Sequence, residues 1–447
     1  MLIRFAIENW MSFRERAEFS MVATREQQHR EQVTKYARMQ MRILPAGFLF
    51  GGNASGKSNF FRALAFCKGF ITKSYLLPPE RPIPVMPFLL DNESRNKPSR
   101  FEFVILIGDE VYKYRFTCDA THVYEEALNR LTCPKAGFSF ERKIDPDTLQ
   151  SSILLGAALK PEQPLYDLIA RATAPNRLFL SAAVAQNVTA LRPLYDWFRE
   201  TLQLVSPTAH YASIERYASE SWIGSRRMNE LLAEFDTGIA QIRRTPIERA
   251  QIPLPAPILE EIEQSLTEGT STRIFAPQGG PLPYMVTRKD GAFVYEKISA
   301  HHVAPGLPSG ICDFELQNES DGTNRLLELL PALVDLERAE SSRVYVIDEI
   351  DRCLHAMATR RFLRLFKESR TTETRSQLLA TSHTASLLDQ TLLRRDEMWF
   401  VERTHERESS KLFSVAEYEE ARKDKDLVRS YLEGRMGGIQ SIDNGGD

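Results

Sequence analysis

Eight residues, Gly51-Gly52-Asn53-Ala54-Ser55-Gly56-Lys57-Ser58, constrain the rest of the chain more than any other stretch. They fit the pattern G-x-x-x-x-G-K-[ST] with no mismatch. The residues before them, Ile43 to Phe50, end in an apolar run suited to a buried strand. Those after them, Asn59 to Phe66, read as a helix with apolar residues on most faces. A glycine-rich loop between a strand and a helix can curl its backbone N–H groups around a phosphate, and the helix start adds its positive dipole end. Gly51, Gly52, Asn53, Ala54, Ser55, Gly56, Lys57, Ser58 and Asn59 are therefore the candidate nucleotide-binding residues. Lys57 is expected on the β- and γ-phosphates, and Ser58 as an oxygen ligand to Mg²⁺. The plain alternative is a chance match in a glycine-rich turn.

Composition narrows the class without naming a function. The chain has 447 residues, enough for two to three domains, with 43% hydrophobic and 26% charged residues. A net charge of −3 does not suit a chain that is basic throughout for nucleic acid, although a local patch could still bind it. Five cysteines, Cys67, Cys118, Cys133, Cys312 and Cys353, show neither C-x-x-C nor zinc spacing and read as reduced thiols. No apolar run approaches a membrane span, and Met1 to Glu8 alternates like a strand rather than a signal peptide. The expected location is the cytoplasm, with no membrane partner.

Along the chain, Ile3, Phe5 and Ile7 predict a strand with one buried face, with Glu18 to Val22 as its partner. Proline-rich Leu76 to Pro98 reads as loop, with Met86 to Asp91 as one ordered piece. Phe101–Ile107 and Glu110–Phe116 flank Gly108-Asp109 as a β-hairpin, extended by Glu125–Leu131 and Phe138–Lys143. Helices are expected over Leu191–Leu204, Met228–Arg243 and Pro257–Leu266, and another hairpin turns at Asp290-Gly291. The last third alternates apolar strands (Val344–Ile347, Leu378–Thr381, Met398–Val401) with helices, the mark of a parallel sheet. The expected organisation is a head half over 1–189, a mainly helical insertion over 190–300, and a second head half over 301–447.

Three further clusters carry chemistry. Asp348-Glu349 directly follows an apolar strand, where a P-loop enzyme needs an acidic pair: Asp348 for the Mg²⁺ shell, Glu349 to orient and deprotonate the attacking water. Alone, such a pair could equally be a solvated loop or a helix cap. Ser320-Asp321-Gly322-Thr323 opens a helical run, so that the Ser320 hydroxyl, the Gly322 N–H and the helix dipole form a second anion site or, more plainly, an N-cap. Pro331 is expected to kink or restart that helix. Finally, Thr381-Ser382-His383-Thr384 follows the second apolar strand, placing His383 to hydrogen-bond a γ-phosphate; a lone histidine is more often a surface or core residue.

The ordered set of P-loop, S-x-G, strand-Asp-Glu and strand-Ser-His resembles the ATP-binding-cassette heads of the SMC, RecF and OLD group. The fold class implied is α/β: a P-loop NTPase head with a mixed or parallel sheet flanked by helices, an antiparallel β subdomain and the insertion. The resemblance implies ATP and Mg²⁺ as cofactors and a homodimer, or higher homo-oligomer, that sandwiches two nucleotides. Ser320 and Gly322 then act on nucleotide held by the partner's Lys57. Lys57, Glu349 and His383 are the implied catalytic residues, and Ser58 and Asp348 the metal ligands.

Further motifs are similar to the compact AbiL and RloA type: Ser320–Thr323, Asp348-Glu349-Ile350-Asp351 with Leu354-His355, Arg394 to Phe400, Tyr431 to Gly437, and Asp236-Thr237-Gly238-Ile239. This implies a bacterial anti-phage (abortive infection) setting with a separate effector protein, a nuclease or toxin, encoded nearby. It also implies roles for Asp351 at a dimer interface and for Arg325 near the signature, and it leaves Gln186 beside Asn187 as candidate for the glutamine after the first lobe. The chain departs from OLD nucleases, since it ends in Asp443-Asn444-Gly445-Gly446-Asp447 with no room for a nuclease domain, and from SMC proteins, since no heptad run is present.

Two other features were weighed. Arg360, Arg361, Arg364, Lys367 and Arg370 could track a nucleic-acid backbone, against the plainer reading of a solvated helix face. Tyr211, Tyr217 and Trp222 suit a core rather than a partner surface. The main alternative function is a RecF-like DNA-maintenance ATPase; a third is a nucleotide-binding scaffold without turnover, which Glu349 argues against.

Overall fold

The computed structural model describes residues 1–132, 138–145, 148–207, 214–218, 224–275, 281–403, 409–418 and 427–433. Cys133, Tyr211, Trp222, Gly434 to Gly437 and the 443–447 tail lie outside them. The chain divides into two compact units. The first comprises 1–207, 339–350 and 363–447, and the second 208–338 and 351–362.

Two sheets organise the first unit. One has the strand order Leu202–Val205, Val344–Ile347, Gln377–Thr381, Ala46–Phe50, Met398–Arg403, Ser410–Ser414. Its first five strands are parallel and only the last pairing is antiparallel. The strands Ala46–Phe50, Val344–Ile347 and Gln377–Thr381 are buried at every residue, which is why they read as unbroken apolar or small runs. The other sheet is antiparallel, in the order Ser151–Leu155, Phe138–Ile144, Val123–Arg130, Glu110–Cys118, Ser99–Ile107, Leu2–Glu8, Ala17–Ser20. Its central hairpin turns at Gly108, whose φ of +59° suits a residue without Cβ.

The helix after the glycine loop, Lys57–Lys73, docks on this second sheet through aromatic rings. Phe60 meets Phe5 edge-on at 5.3 Å, and Phe66 stacks on Trp10 at 5.1 Å. Such pairs add about 0.5–1.5 kcal/mol each beyond area burial. The expected architecture, a parallel sheet with a P-loop helix and an antiparallel β subdomain, is therefore present.

The insertion differs in detail: the described part of 190–300 is mixed rather than mainly helical. The helix expected over Met228–Arg243 stops at Glu234. Asp236 (φ +52°) and Gly238 (φ +73°) then turn the chain into the strand Ile239–Ile247. The helix expected over Leu191–Leu204 gives way to the strand Leu202–Val205, an edge of the parallel sheet. The helix Ala256–Ser265 forms as expected.

The second unit is built on an antiparallel sheet, Ile239–Ile247, Ala292–Val303, Pro281–Lys289, Ser271–Phe275, with Ile311–Glu315 also paired to Ala292–Val303. Leu259, Ile252, Leu266, Ile274 and Val286 form a small core. Helix Asp321–Glu337 belongs to this unit and continues through Pro331 without the restart that was one of the two expectations there. Arg227 clamps it to helix Ser225–Glu234, with two bonds of 2.7 and 2.9 Å to Glu337. Tyr217 is buried and donates to the Pro331 carbonyl at 3.3 Å, a core role.

Candidate nucleotide site

Parallel strands end at one edge of a sheet, and in open α/β sheets ligands bind beyond those carboxyl ends. Here the ends of three neighbouring strands, Ala46–Phe50, Gln377–Thr381 and Val344–Ile347, bring together the glycine loop, Ser382-His383 and Asp348-Glu349. Lys57 is 4% exposed, and its Nζ donates to the carbonyls of Gly51 (2.7 Å) and Gly52 (3.0 Å). His383 Nδ1 stands 3.4 Å from the same Nζ. Ser58 Oγ and Asp348 Oδ1 are 3.4 Å apart.

The loop leaves no room for side chains at Gly51 and Gly56. A Cβ on Gly51 would lie 2.3 Å from the Val401 carbonyl, and one on Gly56 would lie 2.4 Å from Ser410 Oγ. Ala54 also takes a left-handed backbone, φ +60°. Inside this cradle the buried Ser55 Oγ has no hydrogen-bond partner among the described residues. An orphaned hydroxyl beside a lysine and a helix start fits a phosphate group. The Ser58–Asp348 pair supplies the hard oxygen atoms Mg²⁺ takes, in the small number typical when phosphate oxygens and water complete its shell.

Several contributors carried no motif signal. Thr381 Oγ1 donates to Asp348 Oδ1 at 2.6 Å and accepts from the Glu349 N–H at 2.8 Å, so one hydroxyl fixes both acidic residues. Glu349 itself sits at φ +51°, a costly backbone for a non-glycine residue that recurs at functional sites. Ser12, in the turn after the first strand, accepts from Asn59 Nδ2 (2.9 Å), and its hydroxyl lies 2.8 Å from Ser410 Oγ. Ser410 also donates to the Ser55 carbonyl, bracing the loop from the antiparallel edge strand. Met86 to Leu90 form the cleft wall, pinned by Met11 N–H to the Met86 carbonyl (2.8 Å) and Phe88 N–H to Asn9 Oδ1 (3.1 Å). The cleft holds about 510 Å³ and is lined by Asn53 to Asn59, Glu349, His383, Met11, Ser12 and Arg403 among others.

Ser320 and Gly322 lie in the second unit, with the insertion sheet rather than with the glycine loop. Ser320 caps helix Asp321–Glu337, accepting from the Thr323 N–H at 3.1 Å, and remains exposed. Gly322 also has a packing reason: a Cβ there would lie 3.0 Å from the Cys353 carbonyl. Arg325 is buried beside Glu328 at 3.2 Å, and Asp351 is half-buried. Gln186 and Asn187 are exposed at the end of helix Phe179–Ala185 and do not line the cleft.

The basic stretch is not one surface. Lys367 is 4% exposed and bonds both oxygens of Glu397 at 2.7 and 2.8 Å; burial pushes its pKa down. Arg370 is buried with its guanidinium 4.8 Å from the Phe366 ring, and Arg361 pairs with Glu234. Arg394 and Asp396, from the motif before Phe400, form another buried pair at 2.7 Å. Tyr431 stacks on Phe400 at 5.2 Å. Cys67 and Cys118 are buried free thiols whose pKa burial raises; Cys312 and Cys353 are free as well. Among the described residues, no helix is long and apolar enough to cross a membrane.

The sequence pattern of the family described as "AAA domain, putative AbiEii toxin, Type IV TA system" matches residues 48–389, which is most of the chain. The chain belongs to that family. The match runs from the strand before the glycine loop past His383, so it spans Gly51 to Asn59, Ser320, Gly322, Asp348, Glu349 and His383 but not Ser12 or Ser410. No curated protein matches the chain at a significant level. Two solved structures are remotely similar. The SMC head domain from Thermotoga maritima is 14% identical over 92% of this chain and 98% of its own, with a TM-score of 0.35. An SMC head bound to the C-winged helix domain of ScpA is 14% identical over 92% and 97%, with a TM-score of 0.39. Similarity at that level is too loose to assign function.

Proposed function

We propose that this AAA-domain chain hydrolyses ATP and works as a dimeric switch that controls a separate effector in bacterial anti-phage defence, close to the AbiL and RloA type. The observation that carries the reading is the convergence of Lys57, Ser58, Asp348, Glu349 and His383 on one cleft edge from three parallel strands. Lys57 and the loop N–H groups bind the β- and γ-phosphates of the substrate, while Ser58 and Asp348 hold Mg²⁺. The metal, when bound, neutralises charge that builds on the phosphate oxygens. Glu349, aimed by its left-handed backbone and by Thr381, orients the attacking water and takes its proton. His383 stands beside Lys57 to hydrogen-bond the γ-phosphate.

Ser320 is exposed at the start of a 17-residue helix, free to meet a nucleotide held by a second copy. The family description, with its toxin–antitoxin context, supports the defence setting. The basic stretch lends the DNA-maintenance alternative little, because Lys367 and Arg370 are buried and Arg361 pairs with Glu234.

The test is phage plaquing on cells carrying this gene alone, with its neighbouring gene, and with that neighbour plus Lys57→Ala. Protection that needs both the neighbour and an intact Lys57 is the expected result. Protection by the gene alone would place effector chemistry in this chain, and salt-sensitive DNA binding without protection would favour the maintenance reading.

A further inference from the structure

The long strand Ala292–Val303 carries two adjacent histidines, and neighbours on a strand face opposite sides of the sheet. His301 Nδ1 lies 2.7 Å from Asp313 on the next strand. His302 finds a different partner: its Nε2 lies 2.7 Å from Glu319 Oε1. Glu319 is the residue immediately before Ser320, and its side chain is 7% exposed. Its backbone is held as well, since Asn324 Nδ2 donates to the Glu319 carbonyl at 3.1 Å.

The imidazole is itself held in place. The Phe314 ring lies 4.6 Å from it. Gly238, in the turn that begins the sheet, lies on the side of its other ring nitrogen: a Cβ built there would be in ordinary contact, 3.4 Å from His302 Nδ1, on a backbone with φ +73°. Thr237, beside Gly238, donates to the Leu232 carbonyl at 2.9 Å and ties that turn to helix Ser225–Glu234. The bond from His302 to Glu319 thus leads from the strand Ala292–Val303 to the residue before Ser320.

We propose that His302 is a positioning residue for the Ser320-Asp321-Gly322 signature, tying that exposed helix start to the antiparallel sheet of the second unit. This rests on the reading that Ser320 and Gly322 serve the nucleotide of a second copy. The bond from imidazole to carboxylate holds Glu319 in one rotamer, and the backbone of Glu319 sets where the Ser320 hydroxyl stands. The insertion sheet then has a defined purpose. Whatever displaces the strand Ala292–Val303 displaces the signature, and with it the ability of two heads to share nucleotide.

The test uses the full chain carrying His302→Ala, His302→Asn or His302→Gln. The glutamine amide N–H reaches about as far as Nε2, whereas asparagine reaches only the Nδ1 position. His302→Ala and His302→Asn should lower kcat about tenfold to a hundredfold, the size of one hydrogen bond to a charged group. The affinity of a single head for a non-hydrolysable ATP analogue should stay within about twofold, because Lys57 belongs to the other unit. His302→Gln should recover most of the rate. Parental turnover in His302→Ala, a glutamine variant as slow as alanine, or analogue affinity falling in step with kcat would each overturn the proposal. Ser320→Arg separates the layers. If it turns over like the parent, the shared-site reading fails and takes this proposal with it; if it is inactive while the His302 variants are normal, only the His302 assignment falls.

Discussion

Around Lys57 the polar groups are braced by their own fold: two carbonyls hold the ammonium, Ser410 and Ser12 support the loop, and Thr381 locks both acidic residues. Around Ser320 the arrangement is sparer: an exposed helix start that Ser320 caps by accepting from the Thr323 N–H, with His302 bonded to the preceding Glu319. The first half is a finished cradle that can bind phosphate within one chain. The second half presents a hydroxyl and a helix start outward, which on the proposed reading meet the nucleotide of a second copy. Binding and turnover should therefore be separable by mutation.

The sharpest expected separation comes from Glu349→Gln. Turnover should fall about a thousandfold while ATP still binds, in keeping with the loss of a general base; single-turnover hydrolysis and analogue titration check the two arms. Lys57→Ala should act on the cradle itself. Affinity for nucleotide should drop about a hundredfold, near 2.8 kcal/mol, by fluorescence titration; undiminished affinity would remove the contrast between the halves. Ser320→Arg should spare single-head affinity yet reduce turnover about tenfold or more, since the bulky cation obstructs the outward face. Mixed with Lys57→Ala it should leave at most one working site per mixed dimer. The smallest effect is expected for Thr381→Val, which keeps the shape but removes the hydroxyl shared by Asp348 and Glu349. The Mg²⁺ concentration for half-maximal turnover should rise about tenfold, the size of one lost buried hydrogen bond. No change there would make the Thr381 contact dispensable.

Legibility followed the same division. The glycine loop, the acidic pair and His383 could be read because each sits at the end of an apolar strand, and parallel strands must deliver their ends to one edge. The hairpin at Gly108 was legible from its two-residue turn. Thr381 was visible only as a neighbour of His383, because a shared hydroxyl bond joins residues about thirty positions apart and leaves no local pattern. Ser12 and Ser410 were invisible for the same reason. The insertion misled because Met228, Leu231, Leu232, Phe235, Ile239 and Ile242 keep helical spacing across a turn. Gly238 was the sign that the period had changed, since its positive φ begins a strand. The basic stretch after Arg360 showed charge but not burial, which is decided by Glu397 and Phe366.

The order of strands in the parallel sheet has a consequence in time. Strand Ala46–Phe50 lies between Gln377–Thr381 and Met398–Arg403, both made more than three hundred residues later. At about 5–20 residues per second, roughly fifteen seconds to a minute separates synthesis of the loop from synthesis of its neighbours. Until then the strand before the glycine loop lacks both of its neighbours in the parallel sheet. A chain that stops before those strands leaves the loop strand unpaired on both edges, so the nucleotide site proposed above forms only after residues far down the chain have been made.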